Sequence, residues 1–386
     1  MTNDFSLTVD QSMNALTTFS RPTIPFPAAE YTARLRRLRR NLAVKTFDAV
    51  LIEDVTNRFY FTGFEASNGV LCASADDEPV FLTDFRYCEA ARRALGFLRV
   101  NSLAPGKRYQ ALASVARRHG WRRVGYDGAG GPAQLEALRQ AMPGVTAWTS
   151  CQGVVQALRM VKSPRELETI RRAVRMGDEV FLRALPQIHP GMTEWEIRVL
   201  LRAEMDRVSQ GESFETIVCA GANASRCHHH PSQQSLRRGQ ELLVDMGVKV
   251  DGYCSDMTRV VFFGPPSPKL REIYRIVLEA NRRAIAGIRA GMTSHAADNL
   301  ARRVIERAGY GPQFGHSLGH GLGLQVHDPG SLRREAKDQL PEGMVVTIEP
   351  GIYLPGVGGV RIEDVVVLRS RSCEVLTRTP KELLCL

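Results

Sequence analysis

Two aspartates, Asp245 and Asp256, lie in a segment that reads as two strands joined at Asp251-Gly252, a dipeptide that suits a two-residue type I′ turn. Hydrophobic residues alternate along the first strand and predict its core face: Val244, Met246, Val248 and Val250. Asp245 therefore projects from the opposite face. A two-residue turn pairs Val250 with Tyr253, and counting outward places Gly247 opposite Asp256.

This register makes Asp245 and Asp256 diagonal neighbours on one face of the hairpin, beside Thr258, at a separation of roughly 5–8 Å. Two carboxylates this close repel each other unless one is protonated or a cation lies between them. The pleat thus predicts the geometry of a metal site. The alternative is a pair of solvated acids on an exposed hairpin, and the segment alone does not decide between them.

Three histidines, His316, His320 and His327, share one run with four glycines at positions 315 to 323. Each glycine costs roughly 1 kcal/mol relative to alanine in a helix interior, so the run is not predicted to be helical. His316 and His320 are therefore not the helical pair of an H-E-x-x-H zinc peptidase, a motif that the sequence lacks. Glycines instead allow the backbone to approach closely and the imidazoles to converge on one centre.

Two further acids occur at strand positions. Glu349 ends the apolar strand 345–348 just before a Pro-Gly turn, where a carboxylate is commonly only a surface group. In the strand 359–368, Glu363 shares one face with Arg361, which leaves Asp364 on the more apolar side without an explanation.

Four acids and one imidazole form a set of hard oxygen ligands with a borderline nitrogen; the acids are Asp245, Asp256, Glu349 and Glu363. Such a set suits two divalent ions of the Mn²⁺, Co²⁺, Fe²⁺ or Zn²⁺ type. Four carboxylates and a bridging hydroxide nearly balance the charge of two dications. Two metals roughly 3.5–4 Å apart would ionise a water molecule and polarise a carbonyl group. The predicted chemistry is metal-assisted hydrolysis.

The elements that must position these residues follow from the whole chain of 386 residues, which is long enough for two domains. Residues 1–27 lack periodicity and are predicted to form a loose arm. Residues 28–158 alternate between strands and helices and predict an α/β domain, in which residues 58–63 are assigned to a strand. Residues 159–386 form the second domain, with helix pairs at 164–209 and 267–308 among strands and glycine-rich loops; the fold class is α+β.

Composition excludes several classes of function. No apolar run approaches the roughly 20 residues that cross a bilayer, and no signal-peptide pattern is present, so a cytoplasmic protein without membrane contact is expected. Eight scattered cysteines without a C-x-x-C pair are interpreted as free thiols. The net charge of +10 includes the arginine-rich run 34–40, interpreted as the solvated face of an amphipathic helix; no nucleic-acid partner is expected.

Four motifs together resemble the pita-bread metallopeptidases (M24), closest to the proline-specific branch of Xaa-Pro dipeptidases (prolidases) and Xaa-Pro aminopeptidases. Residues 245–259 read D-x-G-x(8)-D-x-T-R, residues 316–328 read H-x-x-x-H-G-x-G-x-x-x-H-D, and residues 349–353 and 361–364 read E-P-G-x-Y and R-I-E-D. Segments 59–64, 82–87 and 162–166 resemble the creatinase-like N-terminal domain and its junction. All five ligand positions of the family are filled in order: Asp245, Asp256, His320, Glu349 and Glu363.

The resemblance implies a role for each ligand. Asp245 would chelate one metal, His320 would bind the other, and Asp256 and Glu363 would bridge the two. Glu349 would be both a ligand and a proton shuttle between the attacking water and the leaving nitrogen. Manganese is the expected metal, with cobalt, zinc or iron as alternatives.

The resemblance also assigns residues to the substrate. His228 would stabilise the tetrahedral intermediate, His327 would contact the substrate near the scissile bond or the proline, and Arg361 would lie in the substrate site. His316 would be a substrate contact or support a ligand. The remaining histidines of the run, His229 and His230, are interpreted as part of a solvated loop.

The expected activity is hydrolysis of Xaa-Pro bonds in a di- or oligopeptide, as an Xaa-Pro dipeptidase. The alternatives are an Xaa-Pro aminopeptidase acting on longer peptides and a metal-dependent lyase or hydrolase of the same fold with a small non-peptide substrate. Relatives imply a homodimer in which the N-terminal domain helps to line the active site of the other subunit. A pita-bread catalytic domain preceded by a smaller α/β creatinase-like domain is the expected architecture.

Overall fold

A computed structural model describes residues 24–45 and 47–386, so most of the predicted arm at 1–27 lies outside the described residues. The N-terminal half contains, in chain order, α1 (Ala28–Lys45), β1 (Ala49–Ile52), α2 (Val55–Thr62), β2 (Val70–Ser74), β3 (Val80–Asp84), α3 (Phe85–Ala94), β4 (Arg99–Leu103), α4 (Arg108–Arg118), β5 (Arg123–Tyr126), α5 (Gly131–Ala141), β6 (Ala147–Ser150) and α6 (Gln152–Met160). Its strands form one mixed sheet in the order β4-β3-β2-β1-β5-β6. The predicted α/β layer is confirmed.

The catalytic half contains α7 (Pro164–Ala184), α8 (Glu194–Val208), β7 (Ile217–Ala220), β8 (Glu241–Met246), β9 (Lys249–Val250), β10 (Tyr253–Cys254), β11 (Met257–Phe262), α9 (Pro268–Gly287), α10 (Ser294–Arg307), β12 (Gly319–Gly321), β13 (Asp328–Leu332), β14 (Val345–Ile348), β15 (Gly351–Leu354), β16 (Gly358–Arg361), β17 (Asp364–Leu368), β18 (Cys373–Val375) and β19 (Leu384–Cys385). Two sheets dominate it, β19-β11-β8-β7 and β13-β12-β14-β17-β18. Each helix of the two predicted pairs begins at a Ser or Thr whose side chain accepts a backbone N–H: Ser163, Thr193, Ser267 and Thr293. The α+β class is confirmed.

The predicted strand at 58–63 is wrong, because this segment belongs to the helix α2. The Asp54 side chain caps the helix by accepting the Asn57 N–H at 2.8 Å, and Gly63 ends it in the left-handed region at φ 68°. Aromatic residues favour strands on average, but here Tyr60 and Phe61 are buried by the helix in the core of the N-terminal half. The end signals outweigh the strand propensity.

Two elements, β6 and α6, were not predicted. Helix α6 runs through the predicted boundary at residues 158 and 159. It packs against α1 of the N-terminal half and against β13 of the catalytic half. The division into 28–158 and 159–386 stays a prediction. No helix in the described part of the chain combines the length and the apolar character needed to cross a membrane.

The arginine-rich face of α1 is not wholly solvated, and the interpretation is wrong for Arg34, which is only 3% exposed. Its guanidinium donates to the Tyr60 carbonyl at 2.7 Å and lies 3.5 Å from the Glu166 carboxylate and 3.3 Å from the Tyr253 hydroxyl. Glu166 lies in the first turn of α7 and Tyr253 lies on β10, so both belong to the catalytic half, whereas Arg34 lies on α1. Arg34 therefore joins the two halves of the chain.

Replacing Arg34 by methionine is expected to lower the free energy of unfolding by about 3–5 kcal/mol, because it leaves the buried Glu166 carboxylate without its cation. The change is measured by urea denaturation. Arg36→Met is the matched control on the same helix; Arg36 is exposed, and its loss should change the free energy by less than about 0.5 kcal/mol. Equal effects of the two substitutions would contradict the assignment.

The hairpin has the predicted register. Val250 pairs with Tyr253, Met246 with Met257, and Asp245 lies directly opposite Thr258. Asp251 and Gly252 have φ values of 49° and 83°, the pair of positive angles that a type I′ turn requires. All eight cysteines are free thiols, as predicted, and Cys254 is buried in the core.

One buried acid lies apart from the predicted site. Glu241, at the start of β8, is 1% exposed, and within the described residues its Oε1 has no hydrogen-bond partner. Burial raises the pKa of this carboxyl to about 7. The neutral carboxyl is therefore favoured in the folded state, and it contributes to the free energy of unfolding below the unfolded pKa near 4.5. This stabilisation is lost as the pH rises from 4.5 through 7, where the buried carboxyl must ionise.

We expect Glu241→Gln to become progressively more stable than the wild type between pH 5 and pH 8, by up to about 3 kcal/mol at pH 8. The glutamine cannot ionise, so the cost of charging a buried carboxyl disappears. Chemical denaturation at both pH values measures the difference. A stability difference that stays constant with pH would show that Glu241 ionises without a penalty.

Candidate metal centre

The predicted ligands come from both sheets of the catalytic half. Asp245 lies on β8 and Asp256 just before β11; His320 lies on β12, Glu349 follows β14, and Glu363 precedes β17. A pair of hydrogen bonds links the sheets at this point, because Thr258 Oγ1 donates to Glu363 Oε2 at 2.7 Å and the Glu363 N–H donates to the Thr258 carbonyl at 3.2 Å.

The glycines beside His320 are required by close backbone approach. A Cβ at Gly319 would lie 2.0 Å from the Thr347 carbonyl oxygen, and one at Gly321 would lie 2.3 Å from that of Pro329. The run is a short strand rather than a helix, which agrees with the prediction from its glycines. His320 therefore lies on the short strand β12, which pairs with β13 on one side and with β14 on the other.

The ligand atoms of Asp256, His320 and Glu363 all lie within 4.8 Å of one another. His320 Nε2 lies 3.5 Å from Asp256 Oδ2 and 3.4 Å from Glu349 Oε1. Glu349 Oε1 also accepts the Thr347 hydroxyl at 3.1 Å. Three acids thus surround one imidazole nitrogen.

The electrostatics of this cluster fit a divalent cation. Burial raises the pKa of Asp256 and of Glu363 well above the usual range, and repulsion from the neighbouring carboxylates raises both further. Burial likewise raises the pKa of Glu349 to about 7. Within the described residues, Asp245 Oδ1 is buried without a hydrogen-bond partner. Acids that repel in this way, with one orphaned oxygen, are stabilised when a cation lies among them.

His320 is held in the form that a metal needs. Its Nδ1 lies 3.1 Å from the Gly321 carbonyl, so Nδ1 carries the proton and Nε2 presents a lone pair towards the carboxylates. Burial lowers the pKa of this imidazole and keeps it neutral. The five predicted ligands therefore have the chemistry of a donor set for divalent metals, which releases protons when it binds them.

Arg361 is buried beside this cluster and connects it to a second group. It donates to Asp245 Oδ2 at 2.6 Å, to Thr258 Oγ1 at 3.0 Å and to the Tyr353 hydroxyl at 2.9 Å. The sequence interpretation gave no role to Tyr353, although it is the last residue of the motif E-P-G-x-Y. The signal available in the sequence was the fixed spacing of this tyrosine, four residues after the predicted ligand Glu349.

Three histidines lie at the approach to the cluster. His316 Nε2 accepts the Tyr353 hydroxyl at 2.9 Å, and burial, with the nearby Arg361 charge, lowers the pKa of His316 to about 4. The His327 ring lies 4.3 Å from the His320 ring between centroids and is exposed on one side. His228 is exposed, and a proton on it would lower the pKa of both His316 and His327.

The interpretation of His229 as a solvated loop residue is wrong. Its side chain is 8% exposed, and its Nε2 lies 2.8 Å from the buried Glu194 carboxylate. His230 is 84% exposed, as expected. Asp364, for which the sequence offered no explanation, is buried between Arg259 at 2.8 Å and Lys381 at 2.5 Å.

A cleft of about 380 Å³ opens beside His327, between the two halves of the chain. Its lining is polar and comes from α2, the turn after β5, α6 and the segment before β13. The residues include Asp54, Asn57, Asp127, Gln156, Gln325 and His327. Of the predicted site residues only His327 lines this cleft, and its ring packs against the ring of His320.

Comparison with known proteins shows the family of both halves of the chain. The sequence profile of metallopeptidase family M24 matches residues 168–370, and that of the creatinase/prolidase N-terminal domain matches residues 34–161. An Xaa-Pro dipeptidase from Pyrococcus furiosus is 32% identical over 91% of this chain and 99% of its own length. Solved structures include an Xaa-Pro dipeptidase from Bacillus anthracis (TM-score 0.88, 35% identity, 92% of this chain and 100% of that one) and an X-Pro aminopeptidase from Thermotoga maritima (0.82, 34%, 90% and 100%).

The fold and the carboxylate cluster define a metallopeptidase with a creatinase-like N-terminal domain. The chain belongs to metallopeptidase family M24. The predicted pita-bread catalytic domain and the smaller domain before it are thereby confirmed. Family membership implies divalent metal ions.

Proposed function

We propose that this protein hydrolyses Xaa-Pro peptide bonds as an Xaa-Pro dipeptidase, with two divalent metal ions, most simply manganese. The observation that carries the proposal is the convergence of four carboxylates and the neutral imidazole of His320 beside Arg361 and the exposed His228 and His327. The relatives named as Xaa-Pro dipeptidases support the choice of substrate.

The metals would be held by Asp245, Asp256, His320, Glu349 and Glu363. When bound, they would ionise a water molecule and polarise the scissile carbonyl. The proline nitrogen carries no hydrogen in the peptide and must gain one when it leaves as an amine. The chain itself must therefore move one proton to this nitrogen.

Glu349 is the residue that we assign to this proton. Its carboxylate lies beside His320 and is oriented by the Thr347 hydroxyl, so it can take the proton of the attacking water and deliver it to the proline nitrogen. His228 would donate an N–H to the oxygen of the tetrahedral intermediate, where negative charge develops. His327, His316 and Arg361 would bind and orient the substrate around the proline.

A second candidate, an Xaa-Pro aminopeptidase on longer peptides, is favoured by the cleft beside His327, which leaves room for a residue beyond the proline. The X-Pro aminopeptidase from Thermotoga maritima has the same fold. The two activities differ only in whether the site also binds a free carboxylate on the proline.

A matched pair of substrates tests the proposal: an Xaa-Pro dipeptide and an Xaa-Pro-Yaa tripeptide, each with Mn²⁺ and after chelation. An Xaa-Ala dipeptide serves as the control. Cleavage of the Xaa-Pro dipeptide alone supports the dipeptidase, and preference for the tripeptide supports the aminopeptidase. If Mn²⁺ binds and neither peptide is cleaved, the alternative of a metal-dependent lyase or hydrolase with a small non-peptide substrate replaces both.

The homodimer and the cytoplasmic location are also proposals. Eight free cysteines suit a reducing compartment. Light scattering of the purified protein tests the dimer.

A further inference from the structure

Glu194, at the N-terminus of α8, is a fully buried carboxylate outside the metal cluster. It faces the segment 220–232, which contains His228. Five groups of this segment surround its two oxygens at 2.6–2.9 Å: the Ala220 N–H, the Asn223 side-chain amide, His229 Nε2, and the N–H and the hydroxyl of Ser232. One side chain therefore fastens the segment at both ends.

The donors keep this acid ionised. Burial alone would raise the pKa of Glu194, but the hydrogen bonds from Ala220, Ser232, Asn223 and His229 outweigh it and lower the pKa. A buried carboxylate accepts and cannot donate, so His229 Nε2 must carry a proton towards it. The interaction of His229 with Glu194 is a charge-assisted hydrogen bond between two buried side chains.

The group is not a Ser-His-Glu nucleophile. Ser232 Oγ donates a hydrogen bond to Oε2 of Glu194, and His229 Nε2 donates to the same oxygen. The imidazole therefore does not accept the serine proton, which a nucleophilic serine would require. The arrangement can hold the backbone, but it cannot activate the hydroxyl.

His228 is the residue that this anchoring affects. It directly precedes His229, its side chain is exposed, and within the described residues no hydrogen bond to that side chain is present. It is near enough to His316 and His327 that a proton on it would lower the pKa of both. Its position therefore depends on the backbone on either side. His229 is buried against Glu194 immediately after it, while Asn223 is bound to the same carboxylate before it.

We propose that Glu194 and His229 form one positioning unit, which holds the His228 imidazole where it meets the tetrahedral intermediate. This inference rests on the proposed function, and it assigns a role to a histidine that the sequence pattern had left to solvent. A misplacement of about 1 Å in a group that acts in the transition state can reduce the rate about 100-fold.

The test compares His229→Leu, His229→Gln and His230→Leu in the full-length protein reconstituted with Mn²⁺ and supplied with an Xaa-Pro dipeptide. His229→Leu should lower kcat about 10–100-fold and change KM by less than about threefold, because His228 acts only in the transition state. His229→Gln retains an amide donor for Glu194 and should recover most of the rate. His230→Leu, at the exposed neighbouring histidine, should have the wild-type rate.

A double-substitution cycle separates positioning from general destabilisation. In a His228→Ala background, His229→Leu should cause no further loss of kcat, since the residue through which it acts is absent. Additive losses, or a His229→Leu variant with wild-type kcat, would overturn the proposal.

Hydrogen exchange makes the result independent of activity. The Ser232 amide, bonded to Glu194, should exchange at least about tenfold faster in His229→Leu than in the wild type or in His229→Gln. If the wild type leaves the Xaa-Pro peptide intact, the proposed function fails, and this exchange still decides whether His229 anchors the segment. Unchanged exchange overturns the anchoring itself.

Discussion

Asp256→Asn is expected to lower kcat/KM for an Xaa-Pro dipeptide by at least about 1,000-fold and to abolish tight binding of Mn²⁺. Asp256 lies within 4.8 Å of ligand atoms of His320 and Glu363, so it belongs to the centre of the donor set. Metal-assisted hydrolysis draws several kcal/mol of transition-state stabilisation from the bound ions, and each 1.36 kcal/mol corresponds to a factor of ten.

The stability of the same variant gives an independent result. Without metal, the asparagine removes one of the carboxylates that repel each other, so metal-free Asp256→Asn should be at least as stable as the metal-free wild type. Mn²⁺ should raise the melting temperature of the wild type and leave that of the variant unchanged. Calorimetry and elemental analysis of the dialysed proteins measure both quantities.

Asp251→Asn is the matched control, because it lies in the turn of the same hairpin, where asparagine tolerates a φ of 49°. It should retain the activity and the metal content of the wild type. An Asp256→Asn protein with full turnover would remove Asp256 from the centre and with it the dinuclear proposal.

Glu349→Gln is expected to lower kcat about 10²–10⁴-fold with little change in KM, because an amide can neither take the proton of the water nor deliver one to the proline nitrogen. Steady-state kinetics with an Xaa-Pro dipeptide measure the loss. The glutamine retains one carbonyl oxygen, which can still accept the Thr347 hydroxyl or contact a metal. Because Glu349 lies outside the close group of Asp256, His320 and Glu363, bound Mn²⁺ should fall less than in Asp256→Asn.

Glu342→Gln provides the control for this substitution, since Glu342 is an exposed acid seven residues earlier in the chain. Its kcat should equal that of the wild type. If Glu349→Gln keeps its metal and also keeps its rate, the proton must travel through another group.

The hairpin that carries Asp245 and Asp256 could be predicted because it depends on local rules. The turn dipeptide Asp251-Gly252 fixes the register, and the register fixes which side chains share a face with Asp245. The glycines around His320 excluded a helix for a reason that the structure confirms, namely the close approach of the Thr347 and Pro329 carbonyls. Periodicity, however, could not show that both sheets meet at Thr258 and Glu363; the family motifs implied that.

What the sequence could not reveal were partners distant in the chain. Arg34 was assigned to solvent with its neighbours because its partner Glu166 lies 132 positions away. His229 was assigned to solvent for the same reason, since its partner Glu194 lies 35 positions away on α8. In α2, the aromatic residues favour a strand, and only the cap at Asp54 and the packing of Tyr60 decide for a helix.

The tip of the hairpin that carries Asp245 and Asp256 packs against the N-terminal half. A Cβ at Gly252 would lie 2.6 Å from the Phe59 ring of α2, and Tyr253 and Cys254 share a single hydrophobic core with the N-terminal half. That core also includes Val345 and Val365, on the strands next to Glu349 and Glu363. The catalytic half is therefore not a portable module: cut at residue 159, it would expose this apolar surface to water beside its own ligands. The smaller domain therefore covers apolar residues of the same hairpin and strands that carry the predicted ligands.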